Sequence, residues 1–374
     1  MKQKVLFVAH MLRGHVLVFH LPYMKWFQEQ GYEVHLCSCN DTGKPVSEVP
    51  YCDRFFDLPF QRSPFGRQNV HVYREIKKLV DAEDYALIHC HTPVGGMVGR
   101  LAARGARKRG TRVLYTAHGF HFFTGAPLRN WLLFYPAERF LARFTDLLIT
   151  INREDEARAR RFPARRVART NGIGVDLSRF EPPADRAAVR AELGIGPDAP
   201  VVICVGEHSV RKNHETVLRA CAGEKDVQVF FSGVGEREDS LKALAAELGM
   251  AERTHFLGFR PDVPALLQAS DVFLFPSLQE GLPMAQMEAM AAGLPCLVSN
   301  VRGNADLIGP MDGGMLRAPM DAEGFAQDLH FLLEHPEVRR EMGERNRRVI
   351  RDYSLDAVLE QMAALYREEL EAKG

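Results

Sequence analysis

Val5-Leu6-Phe7-Val8-Ala9 is an unbroken apolar run, and the order of segments after it decides the fold class. A loop containing Gly14 comes next. Val16 to Gln30 then places Phe19, Met24 and Phe27 at roughly helical spacing, and Gly31 closes the segment. Tyr32 to Cys37 is apolar again. A strand apolar on consecutive residues is one covered on both faces. Strand, loop, helix and strand in that order predict a parallel sheet. Met1 to Leu12 has the outline of a signal peptide, but its apolar stretch is short, contains His10 and runs into Arg13 without a small-residue cleavage site. It reads as a first buried strand.

The alternation continues outward. Strands are expected at Arg54 to Leu58, Ala86 to Cys90, Arg112 to Ala117 and Asp146 to Ile151, and helices at Val70 to Asp81, Val94 to Arg109 and Leu128 to Phe144. An arginine-dense piece, 153–169, ends this half. The turn-rich Asn171-Gly172-Ile173-Gly174-Val175-Asp176 and then Pro182-Pro183 mark the best domain boundary. Beyond it, strands are expected at Val201 to Val205, Val227 to Ser232, Thr254 to Leu257, Asp271 to Phe275 and Cys296 to Ser299. Helices are expected near 213–223, 236–249, 262–268, 283–292, 322–334, 336–351 and 354–372, the last capped by Ser354. Two doubly wound α/β domains are the simplest architecture. Ligands of such sheets bind outside the carboxyl ends of strands, so the cleft where two such domains face each other is the expected site.

The totals agree. A chain of 374 residues is too long for one ordinary core, and 46% apolar with 26% charged residues is a globular balance rather than a disordered one. No run of about 18 apolar residues exists to span a bilayer. The formal net charge is zero, but residues 1–180 carry 28 Lys and Arg against 16 Asp and Glu, and the remainder carries the reverse excess. The first half is therefore suited to an anionic partner. Seven cysteines without framework spacing predict reduced thiols in a cytosolic protein.

The chemistry concentrates after the strands. In Pro276-Ser277-Leu278-Gln279-Glu280-Gly281-Leu282-Pro283-Met284-Ala285-Gln286-Met287-Glu288, a strand ends at a carboxylate and a glycine, a helix opens near Pro283, and a second carboxylate lies inside it. Free amides at a helix start favour an anion, and carboxylates accept from diols. The pair suits a ligand with phosphate and sugar hydroxyls. The competing reading is two solvated glutamates, which the surrounding apolar residues disfavour. Gly206-Glu207-His208-Ser209-Val210-Arg211-Lys212 also comes after a strand, and Arg211 and Lys212 could hold a diphosphate; an ordinary basic helix start is the alternative. His118, in an aromatic loop, could bond a sugar hydroxyl or phosphate, or be a satisfied core histidine. His35, His89 and His91 read as buried strand residues rather than metal ligands, since no second cluster has zinc spacing. The Rossmann glycine fingerprint is absent around Gly14, which counts against a nicotinamide dehydrogenase. No Asp-x-Asp occurs, so cations and helix amides, not a metal, must carry the diphosphate charge. Nucleic acid is a poor fit as the anionic partner, because no binding module or aromatic interleaving is present.

Together these residues resemble family 4 glycosyltransferases with the GT-B fold. Glu280-Gly281 with Glu288-Ala289-Met290-Ala291-Ala292-Gly293-Leu294-Pro295 is similar to that family's Glu-x7-Glu motif, and Gly206 with Lys212 to its phosphate motif. Thr116-Ala117-His118-Gly119-Phe120-His121-Phe122 resembles bacterial capsule or exopolysaccharide transferases. The resemblance implies two Rossmann-like domains facing a cleft: an acceptor-binding domain, 1–178, with 354–374 packing back on it, and a donor-binding domain, 179–353. It implies Glu288 on the ribose, Glu280 with the stretch Gly281, Leu282, Pro283 and Met284 and its free amides on donor sugar and phosphate, Lys212 and Arg211 on the departing diphosphate, His118 by the donor sugar, Gly258 by the base and Gly14 among the donor contacts. Glu207 departs from the pattern where the family often has arginine, which leaves Arg211 to substitute or Lys212 to act alone.

The expected function is retaining, metal-independent transfer of a hexose or N-acetylhexosamine from a nucleotide diphosphate, with UDP the expected carrier. No cofactor is expected. The expected acceptor is a polyprenyl-diphosphate-linked saccharide in surface polysaccharide synthesis, and the expected place is the cytoplasm, peripherally at the anionic inner face of the membrane. The alternatives are a nucleotide-sugar epimerase of the same fold and a binding-only homologue.

Overall fold

A computed structural model of the chain describes residues 2–46, 48–309 and 313–372. The chain divides into two compact units, Met1–Ile173 with Val358–Gly374, and Gly174–Ala357. The expected closing segment 354–374 ends in two residues, 373 and 374, that lie outside the described ones.

The first unit is built on seven strands: β1 (Lys4–Val8), β2 (Glu33–Ser38), β3 (Arg54–Asp57), β4 (Tyr85–His91), β5 (Arg112–Ala117), β6 (Leu147–Thr150) and β7 (Arg166–Arg169). They lie parallel in the order 3-2-1-4-5-6-7. The period of two along each strand sorts the core into two layers. Leu6, Val8, Ile88, Cys90, Val113 and Tyr115 face one side, while Val5, Phe7, Leu87, Leu114 and Ile149 face the other. Helix Pro93–Ala102 lies close on the sheet because its glycines leave room. A Cβ on Gly99 would sit 2.5 Å from Cys90 Sγ, and one on Gly96 would sit 2.4 Å from the Tyr115 ring. The second layer also takes Met362, Leu365 and Tyr366 of the last helix, Leu355–Glu371.

The structure departs from the sequence reading in three places here. The single helix expected from Val16 to Gln30 is broken. A wide turn at Leu12–Val16 leads into a short helical piece, Leu17–Phe19, and a new helix starts at Leu21–Glu29 after His20, where Pro22 occupies the first turn. The arginine-dense piece holds two elements that no apolar run announced: helix Arg153–Ala159, capped by Asn152, and the edge strand β7.

The second unit repeats the plan with β8 (Val201–Val205), β9 (Gln228–Ser232), β10 (Thr254–Phe256), β11 (Val272–Phe275), β12 (Cys296–Ser299) and β13 (Gly314–Arg317), parallel in the order 10-9-8-11-12-13. β13 and helix Arg186–Glu192 were not anticipated. That helix is tied to the sheet by Arg186 and Arg190, which reach the two oxygens of Asp271 at 2.6 and 2.8 Å. In both units the strand order reverses beside the first strand, between β1 and β4 and between β8 and β11. Such switch points open a crevice at the carboxyl ends of the strands. All seven cysteines are free thiols.

Candidate active site

At the switch point of the second unit, the loops after β8 and β11 meet. Gly206 adopts φ +153°, and the turn after β9 packs so tightly on it that a Cβ on Gly233 would sit 2.0 Å from the Gly206 carbonyl oxygen. The loop then turns back through Val210–Lys212 and ends at Asn213 in the left-handed conformation. This delivers Lys212 to the end of β11, with its ammonium 4.5 Å from the Phe275 ring centroid. Lys212 and Glu280 are 9% and 7% exposed, and the ammonium donates to Glu280 Oε1 at 2.8 Å. Arg211 donates to the same oxygen at 3.1 Å and Ser277 Oγ at 2.6 Å. Among the described residues none donates to Oε2. One buried carboxylate thus gathers two cations at the strand end through a single oxygen.

The backbone that carries Glu280 is fixed from behind. Arg302 Nε donates to the Glu280 carbonyl at 3.1 Å, and Ser299 Oγ donates to the Ser277 carbonyl at 2.5 Å. Gly303, at φ +81°, lets its loop pass against Gly281, where a Cβ would meet the Gly281 oxygen at 2.4 Å. Gly281 and Leu282 lead to Pro283, which sits at the cap position rather than inside the first turn, and helix Met284–Ala292 begins there. Gly258 lies beside the same crevice, its carbonyl accepting from Gly233 N at 2.9 Å. Glu288, inside the helix, pairs through Oε1 with Arg179 at 2.8 Å. Burial raises its pKa, and the Arg179 charge opposes that shift. Among the described residues nothing donates to Glu288 Oε2.

Ten of the twelve sequence-predicted site residues, Glu280, Gly206, Arg211, Lys212, Gly258, Gly281, Leu282, Pro283, Met284 and Glu288, belong to the second unit. Gly14 and His118 belong to the first. Gly14 sits in the wide turn after β1, where its N–H donates to Asp41 at 3.2 Å. His118 comes just after β5 and stands with His15, His20 and His91, one ring nitrogen of each lying within 4.8 Å of the others. Burial lowers all four pKa values, to about 2 for His15 and about 4 for His118, so the rings are neutral at pH 7. His35 and His89 are satisfied core residues, each bonded at both ring nitrogens. His91 is not of that kind. Beside His118 a cavity of about 500 Å³ is lined by His10, Arg62, Tyr115, Phe120, Phe122 and residues of helix Leu128–Leu141.

Sequence reasoning did not single out Arg179, Ser277, Arg302, His15 or His20. Ser277 lay within the segment 276–288, three residues before Glu280. Nothing local marked Arg179, whose partner is 109 residues away.

Comparison with known proteins places the chain in a family. Residues 185–349 match the model of glycosyl transferases group 1, and residues 4–152 that of glycosyl transferase 4-like proteins. The chain is 40% identical over 374 residues, 98% of its length and 97% of the other's, to "Putative glycosyltransferase EpsD" of Bacillus subtilis (strain 168). It is 31% identical over 278 residues, 70% of this chain and 71% of the relative, to the UDP-Gal:alpha-D-GlcNAc-diphosphoundecaprenol alpha-1,3-galactosyltransferase of Escherichia coli. HepE of Anabaena, solved in complex with UDP, superposes with a TM-score of 0.81 at 19% identity, over 98% of this chain and all of that one. Its likeness establishes the two-sheet fold.

Proposed function

This chain belongs to the family 4 glycosyltransferases of the GT-B fold, and on that premise we propose that it transfers a hexose or N-acetylhexosamine from a UDP-sugar, with retention, to a polyprenyl-diphosphate-linked saccharide. The observation that carries the donor half is the convergence of Lys212, Arg211 and Ser277 on one oxygen of Glu280 at the β8–β11 switch point. An ammonium has three donors and a guanidinium five. Both cations therefore keep N–H groups for a diphosphate while holding Glu280 in place. The amides at the start of Met284–Ala292 add a partial positive charge. Glu280 Oε2 then accepts from a hydroxyl of the donor sugar, and Glu288 Oε2 from the ribose, with Gly258 near the base.

In this reading the acceptor hydroxyl attacks the anomeric carbon from the side of the departing diphosphate. The bond from that carbon to the phosphate oxygen breaks, the bond to the acceptor oxygen forms, and the proton passes to the departing phosphate. Lys212, Arg211 and the helix amides balance the charge that develops, without a metal. His118 offers a ring nitrogen to the sugar. The acceptor class is supported by the name of the Escherichia coli relative and by the aromatic cavity of the first unit.

Membrane attachment at the inner face is part of the proposal, with a changed basis. The arginines of 153–169 are largely engaged: Arg158 with Glu154, Arg160 and Arg169 with Glu156, Arg165 with Glu369 and Arg166 with Glu368. Helix Leu128–Leu141 is the better candidate. Leu128, Leu132, Leu133 and Phe140 are 48–72% exposed on it, among Arg129, Arg139 and Arg143.

The test is incubation with UDP-glucose, UDP-galactose, UDP-GlcNAc and UDP-GalNAc, with and without a diphosphoundecaprenol-linked sugar. UDP released only with the lipid acceptor, an α-linked product by NMR, and turnover undiminished when magnesium and manganese are omitted are expected. Isomerised donor without acceptor, or a β-linked product, overturns the reading.

A further inference from the structure

The histidine group of the first unit calls for a ligand. His91 ends β4, His118 comes just after β5, and His15 and His20 lie in the turn and helix break after β1, so all four cluster at the switch point of this sheet. His20 and His91 are each 1% exposed. Both ring nitrogens of His20, and Nε2 of His15 and of His91, are buried with no hydrogen-bond partner. Buried polar atoms in native proteins are nearly always bonded. The same sheet shows what structural histidines look like, for His35 and His89 are each bonded at both nitrogens.

The chemistry of the four points to a cation. Each imidazole has a ring-nitrogen lone pair to offer, and one ring nitrogen of each already lies within 4.8 Å of the others. Among the described residues no carboxylate or thiol joins the group. Four imidazoles able to close around one ion suit zinc, which takes four ligands in a tetrahedron. Zinc–nitrogen bonds of ~2.0–2.1 Å place tetrahedral ligands about 3.4 Å apart. With ring nitrogens now at most 4.8 Å apart, the rings need to close by roughly an ångström, and the stacked His20–His91 pair, 3.7 Å between centroids, fans open. The turn that presents His91 is itself held in place. Thr92, at φ +62°, accepts on Oγ1 from His10 N at 3.2 Å and from Gly95 N at 3.3 Å, tying the end of β4 to the loop after β1.

We propose that His15, His20, His91 and His118 form a closed structural zinc site that fixes the loop carrying Gly14 to the ends of β4 and β5. His118 Nε2 faces the group, 3.4 Å from His91 Nδ1, which leaves Nδ1 of His118 for a sugar hydroxyl. The site stands on the geometry of the first unit alone, and only the sugar contact of His118 rests on the transfer reading.

The experiment uses the full chain purified without a histidine tag. Metal analysis after gel filtration is expected to give about one zinc per chain, as a four-ligand site requires. After chelation, cobalt(II) is expected to give the visible absorption of a tetrahedral site, and zinc chloride to raise the melting transition. His20→Asn and His91→Asn are expected to weaken zinc binding at least tenfold, while His335→Asn, on the surface of the second unit, leaves it unchanged. If the variants do not fold, the wild-type cobalt spectrum decides. No retained zinc with no tetrahedral cobalt band overturns the proposal. So does equal uptake by His20→Asn, or a transition raised by inorganic phosphate and not by zinc. UDP binding by the second unit, measured in the same preparations, keeps this outcome separate from that of the transfer assay.

Discussion

Glu280 is held in one orientation by three donors on one oxygen, and the other oxygen is the one the proposal uses. Glu280→Gln keeps the shape and the acceptor for Ser277 but loses the charge. It is expected to lower kcat on the order of 10²-fold while UDP, which lacks the sugar, still binds in calorimetry; wild-type turnover would remove the assignment. Glu288 gives a prediction of opposite electrostatic character. Its folded pKa is raised above the carboxylate norm, so the folded state binds more protons than the unfolded one just above that norm, and stability falls there as pH rises. Arg179→Gln removes the opposing charge and carries that window to higher pH. Its melting deficit relative to the wild type is expected to grow from pH 5 to pH 7, reaching about 1 kcal/mol, because the half-exposed Arg179 is partly screened. A deficit independent of pH would mean that the pair is only a packing contact. Glu280 and Lys212 were legible because each stands by a glycine or helix start after a strand, and Glu288 because it lies inside the helix that opens just after Glu280. Arg179 and Arg302 were not, since their roles come from partners 109 and 22 residues away that only the fold brings near.

At the level of elements, the apolar runs announced the buried strands, because a strand covered on both faces has no polar side to show. Elements without such runs were missed. β7 reads Arg166-Val167-Ala168-Arg169 and survives as an edge strand whose arginines meet Glu368 and Glu156. β13 is four residues long, also at an edge. The helix break at His20 was hidden by a continuous apolar pattern from Val16 onward, and it is this break that turns His20 inward. Helix Leu128–Leu141 was legible as amphipathic, but its solvent-facing leucines were visible only in the fold. Burying an exposed leucine is worth roughly 1.5–3 kcal/mol. Leu132→Glu with Leu133→Glu should therefore release the protein from vesicles containing anionic lipid in flotation, at least tenfold, with UDP affinity unchanged. Equal flotation of wild type and variant would move attachment elsewhere.

The whole molecule uses one strand order twice, and the two switch points receive different chemistry: paired cations and carboxylates in the second unit, neutral imidazoles in the first. The division into two doubly wound units could be read from the alternation of strands and helices and from the turn-rich 171–176. The chain does not divide simply at one point, however, because residues from Val358 onward belong to the first unit. Tyr366 shows what that return contributes. It is fully buried, its hydroxyl bonds His89 Nδ1 at 2.8 Å, and its ring stacks on Trp26 at 5.5 Å. Both tryptophans of the chain, Trp26 and Trp131, lie in the first unit, so their fluorescence reports on that unit, whereas the UDP binding proposed above would report on the second. Tyr366→Ala leaves a cavity and strips His89 of a partner, at a cost of about 3–5 kcal/mol. The tryptophan-monitored unfolding midpoint in urea is expected to fall accordingly, while UDP affinity changes by less than about twofold, a shift of under ~0.5 kcal/mol. A variant that loses UDP binding in step with the fluorescence transition would show that the last helix supports the second unit as well as the first.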